Sequence, residues 1–384
     1  MRVRLVHLED DASDRELIAR KLRAEGIDCA VVTAECREDF ERALDDPPDL
    51  ILSDYSIPGF GGDEAQNLAR ARCPGVPFVF VSGSIWGAGY RHGRDDVEDG
   101  FLVGFRPTSR ALDWMHAYGQ DSIRLHQTLE LTLGIKLERN DYTGWEYQPN
   151  ARIAWKPSTE RLIWGAVSRA VRAPARFDRD VIRPLGGVFW GPTFVSEVAT
   201  VYQAGYCAQT AGILTWSATA YLYDWDRLRS ATAPPVFFEN RIEGPVYGSE
   251  LWAAWQVVRA WRLSAGLTAL RKELRLEPGS TDLLGPRNPQ LSNDPDAQWT
   301  LRSSIGPWRN HEVDAMLRRV GELPNPIVPA YAAVDVRYGW RLRPDLELSL
   351  LGQNLFDRSH GEFNPVASRS EFERSVFVQA RWSR

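Results

Sequence analysis

The sequence predicts two unlike folds in one chain: an α/β unit over residues 1–85 and an all-β, antiparallel unit over residues 86–384. Three observations predict this. All 15 Trp lie between Trp86 and Trp382, and 11 of the 12 Tyr follow residue 85. Charge changes at the same place: residues 1–85 hold 17 acids and 10 bases, whereas residues 86–384 hold 34 acids and 36 bases. Periodicity changes too, from short apolar runs alternating with helical spacing to long stretches that alternate every second residue. A break of this kind marks a domain boundary, here at Ile85/Trp86 and without a Pro/Gly/Ser linker.

The first unit reads as strand and helix in turn. Val3 to Leu8 is a short apolar run closed by acids, and Ser13 to Ala24 places Leu17, Ile18 and Leu22 on one helical face. Cys29 to Thr33 is strand-like, Arg37 to Leu44 a short amphipathic helix, and Leu50 to Ser53 a buried strand. Gly62 to Arg72 is helical, and Val76 to Val81 is a fourth apolar strand. Short buried strands between helices imply a parallel sheet with helices on both faces.

Polar chemistry in this unit sits where the strands end. Glu9, Asp10 and Asp11 follow the first strand, Asp54 the third and Ser82 the fourth. In an open parallel sheet those ends converge on one crevice. Carboxylates gathered there form an oxygen-rich set suited to Mg²⁺, and one of them can accept a phosphoryl group. Solvated acids at loop starts are the plainer explanation of any one of these residues; the joint pattern favours a site. The residues Leu8-Glu9-Asp10-Asp11, Leu52-Ser53-Asp54-Tyr55-Ser56-Ile57-Pro58-Gly59 and Val81-Ser82-Gly83 resemble a response-regulator receiver domain of two-component signalling. The resemblance covers about residues 1–85 and implies a flavodoxin-like sheet, incomplete here. It implies Asp54 as phosphoacceptor, Glu9 and Asp10 as the Mg²⁺ acids, Ser56 as a backbone-carbonyl ligand and Ser82 as the switch hydroxyl. A histidine kinase is the implied partner. The receiver's fifth strand with its Lys is not read after Ser84, since no Lys occurs between Lys21 and Lys136.

The second unit is built from long alternating strands. In residues 129–140, Leu129, Leu131, Leu133, Ile135 and Leu137 point one way, while Glu130, Thr132, Lys136 and Glu138 point the other. The same period recurs over 112–123, 147–157, 161–170, 198–209, 213–227, 243–258, 261–272, 297–305, 311–319, 330–341, 346–355 and 372–383, which makes 13 strands with 129–140. Tight turns at Lys156-Pro157-Ser158-Thr159-Glu160 and Gln209-Thr210-Ala211-Gly212 contrast with long polar connections at 177–196 and 273–296. Short turns on one side and long loops on the other are the pattern of an outer-membrane barrel, and aromatic girdles at the headgroups account for the Trp excess. One continuous, unclosed antiparallel meander is expected over 112–383; a large soluble β protein with a Trp-filled core is the competing reading.

This half resembles the C-terminal part of the barrel of TonB-dependent outer-membrane receptors. The resemblance rests on Tyr142-Thr143-Gly144-Trp145-Glu146, Ala166 to Arg176, Asn240-Arg241-Ile242-Glu243-Gly244, Tyr247-Gly248-Ser249-Glu250, Val328-Pro329-Ala330-Tyr331 and Gly352-Gln353-Asn354-Leu355-Phe356-Asp357. It covers about residues 86–384 and implies an outer-membrane location, contact with lipid and lipopolysaccharide, and uptake of a siderophore- or cobalamin-type ligand. Neither a plug nor a TonB-contacting box is read in the sequence.

Several classes are excluded or disfavoured. No run of 18 apolar residues exists, which excludes a membrane helix. The net charge of -5 gives no reason to expect nucleic acid. Cys29, Cys36, Cys73 and Cys207 form no CxxC pair, so neither a disulfide framework nor a zinc site is expected. Ser168, Ser217, His311 and His360 form no nucleophile motif, so no enzyme and no cofactor is expected in the second unit. Asp224/Asp226 and Asp294/Asp296 read as loop-structuring acids, and the run Arg169, Arg172, Arg176, Arg179 as a solvated rim or an anion-binding surface. The start of the chain does not read as a signal peptide. The alternative function is therefore a cytoplasmic response regulator with a β-rich output region.

Overall fold

The computed structural model describes residues 3–10, 15–16, 18–20, 22, 29–54, 56–57, 59–80, 84–97, 100, 103–182, 188–189, 191–232, 236–282, 284–306 and 308–382. The chain divides into two compact units, one of residues 1–88 with 117–123 and 132–134, the other of 89–116, 124–131 and 135–384.

The first unit holds a four-stranded sheet of β1 (Val3–Leu8), β2 (Cys29–Ala34), β3 (Leu50–Ser53) and β4 (Phe78–Phe80), in the order β2-β1-β3-β4. All three ladders are parallel. Helices α1 (Arg37–Ala43) and α2 (Gly62–Arg72) both carry two acids in the first turn and Arg in the last turn, which suits the helix dipole. Phe40 and Ala43 from α1 and Ala65 and Ala69 from α2 join Val6, Leu8 and Ile51 in one apolar cluster. Fully burying each large member stabilises the fold by about 1.5–3 kcal/mol. The helix expected over 13–24 lies largely outside the described residues, so two covered faces are an expectation only. The fourth strand is shorter than the expected 76–81.

The strands from residue 84 onward form a continuous antiparallel ladder, most of which belongs to the second unit. Fourteen strands follow one another in chain order, and two short strands attach off the path. They are β5 (Ser84–Asp96), β6 (Ser109–His126), β7 (Leu129–Asn140), β8 (Gly144–Ser158), β9 (Arg161–Arg172), β10 (Glu197–Thr210) and β11 (Leu214–Ala231). Then come β12 (Val236–Val258), β13 (Trp261–Lys272), β14 (Ala297–Ile305), β15 (His311–Val320), β16 (Tyr331–Arg343), β17 (Leu346–Gln353) and β18 (Ser375–Trp382). The order begins at β5 and ends at β18. One meander replaces the pair of face-packed sheets that a soluble sandwich needs.

Two expectations are corrected. The ladder opens with β5, which the alternation did not reveal. Gly87 and Gly89 leave no apolar signal; a Cβ at each would stand 2.7 Å from the Tyr118 ring and 2.6 Å from the His116 ring, both side chains that can turn aside. The strand expected over 372–383 is broken at Arg374. Glu371–Glu373 pairs with Ser359–Gly361, and only β18 pairs with β17. Several strands also run longer than expected, β12 most of all, because its extension beyond Glu243 holds the short strand Arg275–Leu276 and pairs with the end of β11.

The sidedness follows the period of two. Along β7, Leu133, Ile135 and Leu137 are exposed on one face, while Glu130, Thr132, Lys136 and Glu138 share the other. The register carries each face across the sheet: Leu251 stands opposite Leu267, Leu267 opposite Trp299, Leu301 opposite Leu317 and Tyr338 opposite Leu350. One end of the strands carries only short turns, at 127–128, 159–160, 211–213, 259–260, 306–310 and 344–345, while the other carries the short connections 141–143 and 232–235 beside its longer ones. Left-handed backbone at Ala211 and Gly212 closes the turn at 211–213. The longer connections, at 97–108, 173–196, 273–296 and 354–374, fall at the other end.

Candidate functional site

In the first unit, the parallel register places Leu8 beside Ser53. The next residue of each strand is therefore an acid. The Glu9 N–H donates to the Ala34 carbonyl at 2.9 Å, and the Asp54 N–H to the Leu8 carbonyl at 2.8 Å. Carboxylate oxygens of Glu9, Asp10 and Asp54 consequently lie within 4.8 Å of one another. Glu9 is buried, Asp54 half-buried and Asp10 exposed. Three carboxylates so close repel one another, and a small divalent cation relieves this. The nearest described guanidinium, Arg15, donates to the Glu9 and Asp10 carbonyls at 2.9 and 3.0 Å and pairs with Glu35 at 2.9 Å. Ser56 begins a two-residue strand paired with Phe60–Gly61. Ser82 lies outside the described residues, as does Asp11.

In the second unit, the polar face carries linked charges. Asp314 accepts from Arg302 at 2.9 Å and from Arg337 at 3.1 Å; Arg337 also reaches Glu312 at 3.0 Å and pairs with Glu347. Farther along, Arg318 pairs with Asp335 at 3.1 Å. Trp252, Gln298, Thr300, Arg318, Tyr331 and Asp335 help to line a cavity of about 840 Å³ on this sheet. Its edge is the 354–374 connection, whose buried His360 stacks on Tyr331 at 3.9 Å between ring centroids. Tyr331 donates to Glu362 at 3.0 Å. The Asn354 N–H donates to Asp335 and its side-chain amide to the Phe372 carbonyl, both at 2.9 Å.

At the long-loop end, the connection after β9 folds back through a set of buried ion pairs. Asp178 is 1% exposed and takes hydrogen bonds from Arg172 at 2.9 Å, Arg229 at 3.3 Å and the Ala175 N–H at 2.9 Å. Burial alone would push the Asp178 carboxyl up; the Arg172 hydrogen bond, the Ala175 N–H and the nearby guanidinium charges hold it below the usual carboxylate range. Asp180 accepts from Arg110 at 2.8 Å, Tyr142 at 3.0 Å and Arg176 at 3.3 Å. Burial, then the Asp180 carboxylate, push the Tyr142 phenol above its usual value. Arg176 reaches on to Asp95 at 2.9 Å, and Val181–Ile182 pairs with Gly104–Phe105. The Asn240 side chain meanwhile holds the Val195 backbone at 2.7 and 3.1 Å and the Arg227 carbonyl at 2.7 Å.

This corrects the reading of the Arg run as a solvated or anion-binding rim. Arg172 and Arg176 are taken by internal carboxylates, Arg179 donates to the Phe194 carbonyl, and Arg169 lies over the Tyr147 ring beside Glu146. The residues missed were their partners, Asp178, Asp180 and Glu197. A spacing signal existed, since Arg176 and Asp180 stand four apart. Of the paired acids, Asp294 pairs with Lys272 and Asp296 with Arg271 at the 273–296 connection, whereas Asp226 lies within β11 and pairs with the adjacent Arg227. Asp226, Glu243 and Glu277 approach within 4.8 Å of one another, yet Glu243 and Glu277 each hold an Arg of their own.

A family model described as TonB dependent receptor-like, β-barrel matches residues 53–355. Among solved structures, a mutant ferric enterobactin receptor, PfeA, of Pseudomonas aeruginosa in complex with enterobactin is similar with a TM-score of 0.63 at 14% identity, covering 77% of this chain and 51% of the receptor. The siderophore receptor PirA of Acinetobacter baumannii is similar with a TM-score of 0.63 at 12% identity, covering 78% of this chain and 52% of that one. The chain thus spans about half the length of these receptors. A partial N-terminal match of another kind joins them. The DNA-binding response regulator MtrA of Mycolicibacterium paratuberculosis is 35% identical over 82 residues, which cover 21% of this chain and 36% of the regulator.

Proposed function

The chain belongs to the TonB dependent receptor-like β-barrel family, and from that premise we propose that it works as a barrel wall in an outer membrane, with its polar face turned to a siderophore-type ligand. The observation that carries this is the sidedness of the ladder. Apolar residues occupy one face from β7 to β17, linked charges occupy the other, and every long connection falls at one end. Lipid requires that arrangement, because backbone polar groups must be satisfied within the sheet and only apolar side chains can face the hydrocarbon. The cavity beside Trp252 and Arg318 offers an aromatic ring and paired charges to a ligand. Fractionation of cells expressing the full chain tests the membrane assignment. Recovery in the outer-membrane fraction as a heat-modifiable species is expected; a soluble folded protein contradicts it. Saturable quenching of Trp fluorescence by a ferric catecholate is expected to follow, and its absence from an inserted protein would remove the ligand class while leaving the barrel.

The convergence of Glu9, Asp10 and Asp54 supports a second, separable reading. These acids, with the Ser56 carbonyl, hold Mg²⁺; Asp54 is a phosphoacceptor, fed by a histidine kinase, with Ser82 as the switch hydroxyl. It is a poor acceptor. The cation that should meet the phosphoryl oxygens has no Lys to supply it between residues 21 and 136, and Arg15 is committed to Glu35 and two carbonyls. Incubating the full chain with acetyl phosphate and Mg²⁺ decides this. Metal binding without stoichiometric phosphate is the predicted result. Stoichiometric acid-labile phosphate, abolished by Asp54→Asn, would show that the missing Lys is not needed.

A further inference from the structure

At the long-loop end many Arg are matched by acids, Arg94 by Asp96, Arg110 by Asp180, Arg172 by Asp178, Arg241 by Glu277 and Arg275 by Glu243, while Arg139, Arg287, Arg319 and Arg358 are exposed and make no ion pair among the described residues. At the short-turn end, the side chains of Lys156, Arg161, Arg259, Arg309, Arg341 and Arg381 are all exposed, and none makes an ion pair among the described residues. The acids of that end are mostly committed elsewhere. Asp345 pairs with Arg343, and Glu312 and Glu347 pair with Arg337; among the described residues Glu130 and Glu160 make no ion pair.

Trp155, Trp308, Trp340 and Trp382 stand at this end. Lys156, Arg341 and Arg381, each next to a Trp within a strand, point to the opposite, polar face, so the bases at the level of these rings are Arg161, Arg259 and Arg309. These four indoles are 42–69% exposed. An exposed Trp belt places its rings at headgroup depth, so the turns just beyond it, carrying Arg259 and Arg309, stand at the level of the phosphates. Unpaired guanidinium groups there are donors that match phosphate oxygens two at a time.

We infer that the short-turn rim is a docking surface for anionic phospholipid headgroups of the leaflet on that side. This rests on the membrane reading above and adds to it the lipid charge. The bases draw the rim to a negative surface and hold it there by phosphate contacts, an attraction that falls off within a Debye length and weakens with salt.

The test compares the full chain with the variant Arg161→Gln/Arg259→Gln/Arg309→Gln, each diluted from urea into vesicles of phosphatidylcholine or of an equal mixture with phosphatidylglycerol. Readouts are the rate of Trp fluorescence change and the heat-modifiable fraction. The unaltered chain is expected to insert several-fold faster into the anionic vesicles, with the advantage lost in high salt. The variant should insert into neutral vesicles as the unaltered chain does and show no preference for phosphatidylglycerol. Equal rates for the unaltered chain, or a preference that persists in the variant, would overturn the inference and leave the membrane reading standing. Insertion into neither vesicle would overturn both. Arginine-dependent binding of polyglutamate without any lipid preference would assign the rim to a protein partner instead.

Discussion

Replacing Asp178 with Asn leaves the Arg172 and Arg229 guanidinium groups facing a neutral amide. Breaking a fully buried pair costs roughly 3–5 kcal/mol. Both arginines here keep some solvent, so Asp178→Asn should cost about 2–4 kcal/mol, measured by urea unfolding of the detergent-solubilised chain. The pH dependence has a definite sign. The folded Asp178 carboxyl lies below its ordinary value. Its contribution is therefore complete above the ordinary carboxylate pKa of about 3.9 and is lost as pH falls through the depressed value. Acid unfolding of the Asn variant should lack that component; an unchanged acid limb would show that Asp178 does not carry it. At this scale the sequence was partly legible. The strand-end position of Glu9, Asp10 and Asp54 could be read because each follows an apolar run. The partners of Arg172 and Arg176 could not, because a loop that folds back makes contacts that no period announces.

Strands were legible wherever one face is apolar and the other polar, as in β7, since a period of two is visible in the residues themselves. β5 escaped because its glycines, Gly87 and Gly89, interrupt any alternation of apolar and polar residues. The break at Arg374 escaped for a different reason. Residues 371–373 alternate like a strand and form one, but with Ser359–Gly361 and not with β17. Glycine under close approach gives a sharp prediction within β12. A Cβ on Gly248 would meet the Ala269 carbonyl oxygen at 2.2 Å and the Tyr221 hydroxyl at 2.6 Å. The first contact is backbone and cannot rotate away. Gly248→Ala should destabilise the β12–β13 ladder by about 1–3 kcal/mol, seen as a lower midpoint of heat-modifiability. An unchanged midpoint would mean that β13 shifts freely against β12.

For the whole molecule, the composition break at residue 85 foretold two kinds of fold, and the comparisons follow two families as well. The family match nonetheless begins at residue 53, earlier than the change in Trp content. The central claim is that one face of the ladder meets lipid and the other meets water. Single cysteines placed along β7 in a chain whose four native cysteines are replaced by Ser test it directly, after insertion into vesicles, with a membrane-impermeant and a lipid-soluble thiol reagent. Positions 133, 135 and 137 should react only with the lipid-soluble reagent, and positions 136 and 138 with the water-soluble one. Equal reaction of both sets with the water-soluble reagent would contradict the account.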